Sequence, residues 1–528
     1  MVTVKFEQIS PADFFYRNRD IAGFSSPARS IYMSIRELVE NSLDACEVGR
    51  ILPEISIELS LLGDGDERGS EIYRLVVKDN GIGVAGDQVP KAFGTVLYGS
   101  KYGFKQSRGT FGVGGTMALL YGQITTNRPF TIVTSTGTDE LYKYVMMIDI
   151  VNNIPRIIDK SIQDNKKRWR GTVIDFTLEA DYGMSRPKIV EYLKMTALIN
   201  PHASISFVDP KGRFYFFQRV TDKVPEPPIE AKPHPHGVDA ETVTRIAAET
   251  REKTVFKMLL KEFQRVGPKT AEDLLSKGGI DPATKPDDLS HDQIATLVNV
   301  MKNYQDFRAP ETGSLSPVGK DFLEAGVKTL LLPEFTNIVQ RPPSSYSGIP
   351  FIVEVAIAYG GAIPVSEDIH LYRFANKIPL LYDERSDVSW KVVSEKIDWG
   401  AYKVPKNAPL AVITSLCSPK IPYKTVGKEA VADRPEIERE LVLAVRECAR
   451  ALRNYLGKLE RREAIKKRLN VYARYLPKIA KFSSELSDSN VPDIKPLLKR
   501  IGVTEDMLQE VMKQEMAEAE EQYGISQE

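Results

Sequence analysis

The sequence predicts an α/β protein assembled from α+β sandwiches, with mixed sheets covered on one face by helices. Strand patterns follow helical ones without the regular alternation of a parallel sheet. At 528 residues the chain can form roughly three or four domains, each with its own core. A proline-rich break, Pro225-Glu226-Pro227-Pro228 onward to His236, separates an α/β stretch from a wholly helical one, and strand patterns resume at Arg308.

Composition narrows the class further. The chain is 42% hydrophobic and 27% charged, as a soluble globular protein is. Lys+Arg and Asp+Glu both number 71, so no global basic excess advertises nucleic acid. Any DNA contact must come from local patches or a partner chain. Cys46, Cys417 and Cys448 are far apart and odd in number, which fits no disulfide framework or zinc spacing and points to a reducing interior. No signal-peptide layout opens the chain, and no apolar run nears the ~20 residues that span a bilayer. The expected location is the cytoplasm, with no membrane partner.

Val2 to Ser10 alternates like a short strand, and a helix starts near Asp13 after Pro11. This partly apolar arm is either a fray or a strap that docks elsewhere. The helix Arg36 to Cys46 then places Glu37, Asn41 and Asp44 at i, i+4 and i+7, on one face. A carboxylate, an amide and a second carboxylate there suit a hydrated Mg²⁺ and an activated water. Taken alone, the same pattern also describes a solvated polar face.

Ile55, Ile57, Leu59 and Leu61 alternate as a half-buried strand, and Gly63 to Asp66 turns into a second strand, Ile72 to Lys78. That strand delivers Asp79, followed by Gly81 and Gly83, which allow close approach of the main chain. Phe93 to Phe111 is long for a connection and carries Ser100 and Lys101, a hydroxyl and a cation of the kind phosphate oxygens want. Next, Gly109, Thr110, Phe111, Gly112, Val113, Gly114, Gly115 and Thr116 place main-chain N–H groups at the start of an apolar helix, an anion-cradling arrangement. It lacks the Lys-Ser/Thr ending of a P-loop. Strands are predicted at Phe130–Ser135, Leu141–Ile150, Gly171–Leu178 and Ser204–Val208, and a helix at Ile189–Leu198. Thr172, leading one of these strands, can reach the bottom of a pocket that Asp79 also lines.

His234 and His236 sit in the proline-rich linker and resemble a metal pair only superficially. The helical stretch Ala240–Phe307 carries Lys257, Lys261, Arg265, Lys269 and Lys277, which suit either a phosphate backbone or plain solvation. Further strands are expected at Phe351–Tyr359, Arg373–Pro379 and Leu410–Ser415. A long helix from Arg434 has Ile437, Leu441, Val445, Cys448, Leu452, Tyr455 and Leu459 near heptad spacing, an ordinary core stripe. Glu515 to Glu528 is acidic.

Three segments in order, E-x-x-x-N-x-x-D-A from Glu37, D-x-G-x-G from Asp79 and G-x-x-G-x-G from Gly109, are far more specific together than singly. They resemble the split, lidded ATP site shared by gyrase, the ninety-kilodalton heat-shock chaperone, histidine kinases and mismatch-repair ATPases. Within that superfamily the chain closely resembles the B-subunit family of archaeal topoisomerase VI. Ile9 to Phe15, the Glu37 helix, Tyr98 to Tyr102, Arg373 to Pro379 and Lys420 through Glu429 carry the likeness.

The resemblance implies a Bergerat-type ATPase domain with an amino-terminal strap at 1–224, and a linker with an inserted helix-two-turns-helix domain at 225–307. It implies a transducer domain of ribosomal-protein type at 308–476 and a helical carboxyl-terminal extension with the acidic tail at 477–528. Glu37 would be the general base, Asn41 a ligand of Mg²⁺, and Asp79 the acceptor for the adenine amino group of ATP. Ser100, Lys101 and Gly109 through Thr116 would wrap the phosphates, and Lys428 would reach the γ-phosphate from the transducer. Two departures stand out: Thr116 replaces a lysine carried by relatives, and Trp399-Gly400-Ala401-Tyr402 lacks the lysine of the family's Trp-Lys-x-Tyr motif.

The implied activity is that of the ATP-hydrolysing component of a type IIB DNA topoisomerase. It would dimerise on ATP around double-stranded DNA, and a separate A subunit would cleave, in an A₂B₂ heterotetramer near the nucleoid. A chaperone-like clamp and a mismatch-repair ATPase share the pocket but do not predict the helical insert or the Arg373 and Lys420 segments. A sensor kinase needs a histidine before the Glu37 helix, and none precedes His202.

Overall fold

The computed structural model describes residues 8–66, 69–99, 103–109, 114–425 and 427–502, with 509 and 513. The expectations for the arm before Gln8, for Ser100 and Lys101, for Thr110, Phe111, Gly112 and Val113, and for the acidic tail lie outside these residues. The chain forms two compact units: Met1–Asp398 with Lys406–Ala449, and Trp399–Pro405 with Arg450–Glu528.

In the first unit, α1 (Pro11–Arg17) is capped by the Ser10 hydroxyl. That hydroxyl also donates to the Ile150 carbonyl at 2.6 Å. Helix α2 (Pro27–Val48) begins with Ser26 as its cap and Pro27 in its first turn, where a missing N–H costs nothing. Every residue from Ser30 to Glu40 is buried. β1 (Glu54–Asp64), β2 (Glu71–Lys78), α3 (Val89–Gly94), α4 (Gly114–Thr126), β3 (Phe130–Thr136), β4 (Glu140–Asp149), β5 (Ile154–Asp164), β6 (Arg170–Ala180), α5 (Tyr182–Ile199), β7 (Ser204–Val208) and β8 (Phe214–Phe217) follow.

These strands form one sheet in the order β5-β4-β3-β6-β2-β1-β7-β8. Only β1 and β7 pair in parallel. Ile55, Ile57 and Leu59 are buried, as their alternation predicts, but Leu61 of the same pattern is exposed, where the β1–β2 register shifts between Leu61 and Gly63; α2 packs against α4, α5 and β6. β5 and β8, the two edges, were not anticipated. On β5, Ile154, Ile157, Ile158 and Ile162 are all exposed, so no alternation marks the strand.

The helical insert, α6 (Ala240–Glu249), α7 (Val255–Glu262), α8 (Pro268–Gly278) and α9 (His291–Asn303), has its own core around Met258, Leu259, Leu274 and Leu297. His234 and His236 are structural: their Nε2 atoms donate to the Arg308 and Tyr304 carbonyls at 3.0 and 2.7 Å, and both rings pack edge-on against Phe307. Of the basic residues, Arg265 donates to the Ala309 carbonyl and Lys277 lies over the Tyr304 ring, while Lys257, Lys261 and Lys269 are exposed.

A second sheet follows, made of β9 (Phe335–Gln340), β10 (Ser344–Tyr346), β11 (Ile349–Tyr359), β12 (His370–Ala375), β13 (Ile378–Pro379) and β14 (Leu410–Cys417), with α10 (Lys320–Leu331) before it and α11 (Val388–Lys391) between its strands. Its order is β10-β11-β14-β12-β13, with β9 on β11. Met195, Leu198 and Ile199 of α5 join Leu323, Val327 and Leu331 of α10 in the core of this sheet, so α5 serves both sheets. Helix α12 (Pro435–Ser487) runs unbroken through Leu476-Pro477, where the sequence pattern suggests a domain boundary. Its first turns bury Ile437, Leu441, Val445 and Cys448.

In the second unit, α12 is followed by α13 (Lys495–Ile501), and Leu469, Ala473, Leu476, Ile494, Leu498 and Ile501 cluster. Lys403 forms an ion pair with Glu460.

The α5–α10 seam depends on Gly326, where any Cβ would collide with the Leu198 carbonyl oxygen. Gly326→Ala is expected to cost about 1–3 kcal/mol through overpacking. Chemical denaturation of the two proteins reads this directly; equal midpoints would disprove the close approach.

Candidate functional site

Helix α2 presents Glu37, Asn41, Asp44 and Glu47, and all four line a cavity of about 700 Å³. At its floor, β2 ends beside β6, and the Asp79 N–H donates to the Thr172 carbonyl at 2.9 Å. The Asp79 carboxylate accepts from the Ser42 hydroxyl at 3.1 Å, the Gly81 N–H at 2.8 Å and the Thr172 N–H at 3.2 Å. Burial raises this carboxyl above its ordinary range, and the three hydrogen bonds pull against that rise. Apolar side chains of Ile82, Val84, Phe93 and Ile174 complete this end, and Gly83 and Thr172 also line it.

The opposite wall is the start of α4. Gly109, Gly114, Gly115 and Thr116 line the cavity there. A Cβ at Gly114 would occupy the place of the Glu37 carboxylate, and one at Gly115 would lie 2.9 Å from the Asn41 amide nitrogen. The glycines of this motif are therefore demanded by close approach to the two polar residues of α2. Among the described residues Glu37 forms no salt bridge, which leaves its carboxylate available as a base. Thr116 is buried and offers a hydroxyl.

Lys428 reaches the same cavity from far along the chain. Its Nζ donates to the Arg108 carbonyl at 3.0 Å and lies 3.9 Å from Glu40 Oε2. The backbone of Lys428 is left-handed, φ +54°, a conformation costly for a side chain of this kind. Arg36 fastens the loop by donating to the Gly427 carbonyl at 3.2 Å and holds Glu40 at 2.8 Å, while Arg29 pairs with Glu429.

Asp44 shares the face of Glu37 and Asn41 and lines the cavity, and its carboxylate accepts from Arg108 at 2.8 Å. The same guanidinium donates to Glu47 at 2.7 Å and to Asn200 at 2.6 Å. Lys377 donates to Glu47 at 3.3 Å. Burial would raise the Glu47 carboxyl, but the Arg108 and Lys377 cations outweigh it and hold the group below the usual range. Sequence reasoning missed Arg108, Glu47 and Lys377. The available signal was Glu47, ten positions past Glu37 and so again on the working face.

Four comparisons with known proteins agree. A family model described as the transducer of the topoisomerase VI B subunit matches residues 310–468. The B subunit of type 2 DNA topoisomerase 6 from Sulfurisphaera tokodaii is 42% identical over 529 residues, covering 97% of this chain and 99% of its own. The protein of the same name from Metallosphaera sedula is 43% identical over 495 residues, covering 93% and 92%. That from Saccharolobus islandicus is 42% identical over 480 residues, covering 90% of each chain.

His202 lies against this charge network, 3.9 Å from Glu47, with neither ring nitrogen hydrogen-bonded. Burial pushes it down from 6.5 to about 4. Between those values the unfolded chain binds a proton that the folded chain refuses, so stability falls as pH is lowered through the window, by up to about 3 kcal/mol. Glu47 adds its own loss only below the carboxylate range. Thermal melts from pH 7 to 5 should show a steeper decline for the wild type than for His202→Gln; parallel declines would refute the assignment.

Proposed function

Because the chain belongs to the topoisomerase VI B-subunit family, we propose that the cavity binds ATP and that its hydrolysis drives a gate on duplex DNA. The observation that carries this reading is the convergence of Glu37, Asn41, Asp79, Thr172 and the start of α4 on one cavity that Lys428 also lines. Chain segments hundreds of residues apart meet there, as a nucleotide-operated latch requires.

In this reading Asp79 accepts the adenine amino group, and Ile82, Val84 and Ile174 cover the base. Gly109 and Gly114 through Thr116 lie against the phosphates, where the N-terminus of α4 favours anions. The Glu37 carboxylate takes the proton of the attacking water. Among the described residues no group of three or more His, Cys, Asp or Glu could hold a metal. Asn41 fits a Mg²⁺ that keeps most of its shell from phosphate and water, and the ion would neutralise phosphate charge. Lys428 exchanges the Arg108 carbonyl for the γ-phosphate, so its segment binds ATP and ADP with different affinity. That difference is what allows nucleotide to shift a conformational equilibrium.

Two protomers would associate on ATP binding, with the amino-terminal strap exchanged; Ile9, Phe14 and Tyr16 are exposed and would be covered by a second copy. A separate A subunit would cleave the DNA, completing an A₂B₂ assembly in the cytoplasm. Its docking surface is the exposed stripe Ile465, Tyr472, Tyr475, Ile479, Phe482 and Leu486 of α12, whose heptad spacing suits a helical partner. No helix among the described residues is long and apolar enough to cross a membrane.

The purified chain should hydrolyse ATP. Glu37→Ala should lower turnover by at least ~10²-fold while ATP still binds. Unchanged turnover would remove the assigned base. With the A subunit, ATP should support strand passage, and duplex DNA rather than unfolded protein should stimulate hydrolysis; the opposite preference would favour the chaperone reading.

Gly114→Ala displaces the same carboxylate by a methyl group alone. Turnover should fall by a similar factor, with little change in unfolding free energy, because the added methyl meets only the movable end of the Glu37 side chain. Wild-type kcat in this variant would show that Glu37 acts from another position.

A further inference from the structure

The foot of the phosphate lid, Gln106-Ser107-Arg108, is held at every residue by the stretch before α10, the β12–β13 turn or the loop after β14. The Gln106 N–H donates to the Ser314 carbonyl at 3.0 Å, and its side-chain amide exchanges bonds with the Ser316 main chain at 2.9 and 2.6 Å. The Ser107 carbonyl accepts from the Asn376 amide at 3.2 Å. The Arg108 carbonyl accepts from Lys428. The Arg108 guanidinium points the other way, into Asp44 and Glu47 of α2.

The turn joining β12 to β13 closes this circuit. It consists of Asn376 and Lys377, both left-handed at φ +50° and +63°. Neither is a glycine, so the turn spends conformational energy to aim two side chains. Asn376 grips Ser107 and, through Ser418, the end of β14. Lys377 donates to Ser316 at 3.1 Å and to the Glu47 oxygen that also accepts from Arg108. Lys377, Arg108 and Glu47 are all buried. An apolar contact of the same size would join the two bodies at lower desolvation cost, so the charges specify geometry more than they add stability.

We propose that Asn376 and Lys377 are positioning residues for ATP hydrolysis. They lock the lid foot to α2 and carry lid closure into the second sheet alongside Lys428. Neither reaches the reacting atoms; Lys377 acts through Glu47 and Arg108, and Asn376 through Ser107. The inference rests on the reading of the cavity as the nucleotide site.

The test uses the full chain with Lys377→Met, Lys377→Arg and Asn376→Gly, the last keeping the left-handed backbone. Affinities for a fluorescent ADP and for a non-hydrolysable ATP analogue, kcat, and thermal unfolding are measured for each. Lys377→Met and Asn376→Gly should bind ADP within about threefold of wild type, yet lose about tenfold in kcat and most of the preference for the triphosphate. Lys377→Arg should recover both. Should Lys377→Met fail to fold, Asn376→Gly decides. Wild-type kcat and triphosphate preference in folded variants would overturn the proposal. So would an equal fall of ADP affinity, kcat and melting temperature, or an arginine variant no better than methionine. If Asp79→Ala leaves ADP affinity of the parent chain unchanged, the failure lies in the nucleotide-site reading instead.

Discussion

A helix buried along most of its length yet carrying Arg29, Arg36, Glu37, Glu40, Asp44 and Glu47 must find a counter-charge for nearly every one. An unpaired charge in such surroundings costs several kcal/mol, so α2 is stable only when its partners are in place. Arg36 pairs with Glu40 Oε1, and Glu40 Oε2, without a hydrogen bond, lies 3.9 Å from the Lys428 ammonium. The remaining partners come from elsewhere: Arg108 from the lid foot, Lys377 from the second sheet, and Glu429 from the loop that carries Lys428. Folding α2 therefore recruits Arg108 and the second sheet. Glu37 forms no salt bridge among the described residues, which is why the proposed function gives it the role of base.

The parts legible in the sequence are those whose chemistry is local. Glu37 and Asn41 lie one turn apart, Asp79 follows its strand, and Gly109 through Gly115 stand together, so each motif states its own geometry. Strands with one buried face, such as β1, announced themselves by alternation. β5 did not, because an edge strand exposed on both faces has no reason to alternate. The Arg108 partner of Asp44 was hidden for a related reason: periodicity names a face but not what meets it. Arg108, Glu47 and Lys377 are separated by 61 and 330 positions in the chain, and nothing local to any of them signals the others.

Magnitudes decide how much Lys428 can do alone. In the proposed exchange the Lys428 ammonium leaves the neutral Arg108 carbonyl for an anionic phosphate oxygen, adding charge on the acceptor to charge on the donor. The net gain on exchange is then about 1–2 kcal/mol, a bias near tenfold. Reversing a gate from mostly open to mostly closed takes about 5.5 kcal/mol. A single lysine cannot supply that. The loop it sits on is also restrained by Arg36 at Gly427 and by Arg29 at Glu429, so Lys428 cannot shift without disturbing α2. The energy for closure must be collected from several contacts that change together. In the proposed mechanism these are the contacts of Gln106-Ser107-Arg108, joined to α2 through Arg108 and to the β12–β13 turn through Ser107 and, by way of Glu47, Lys377.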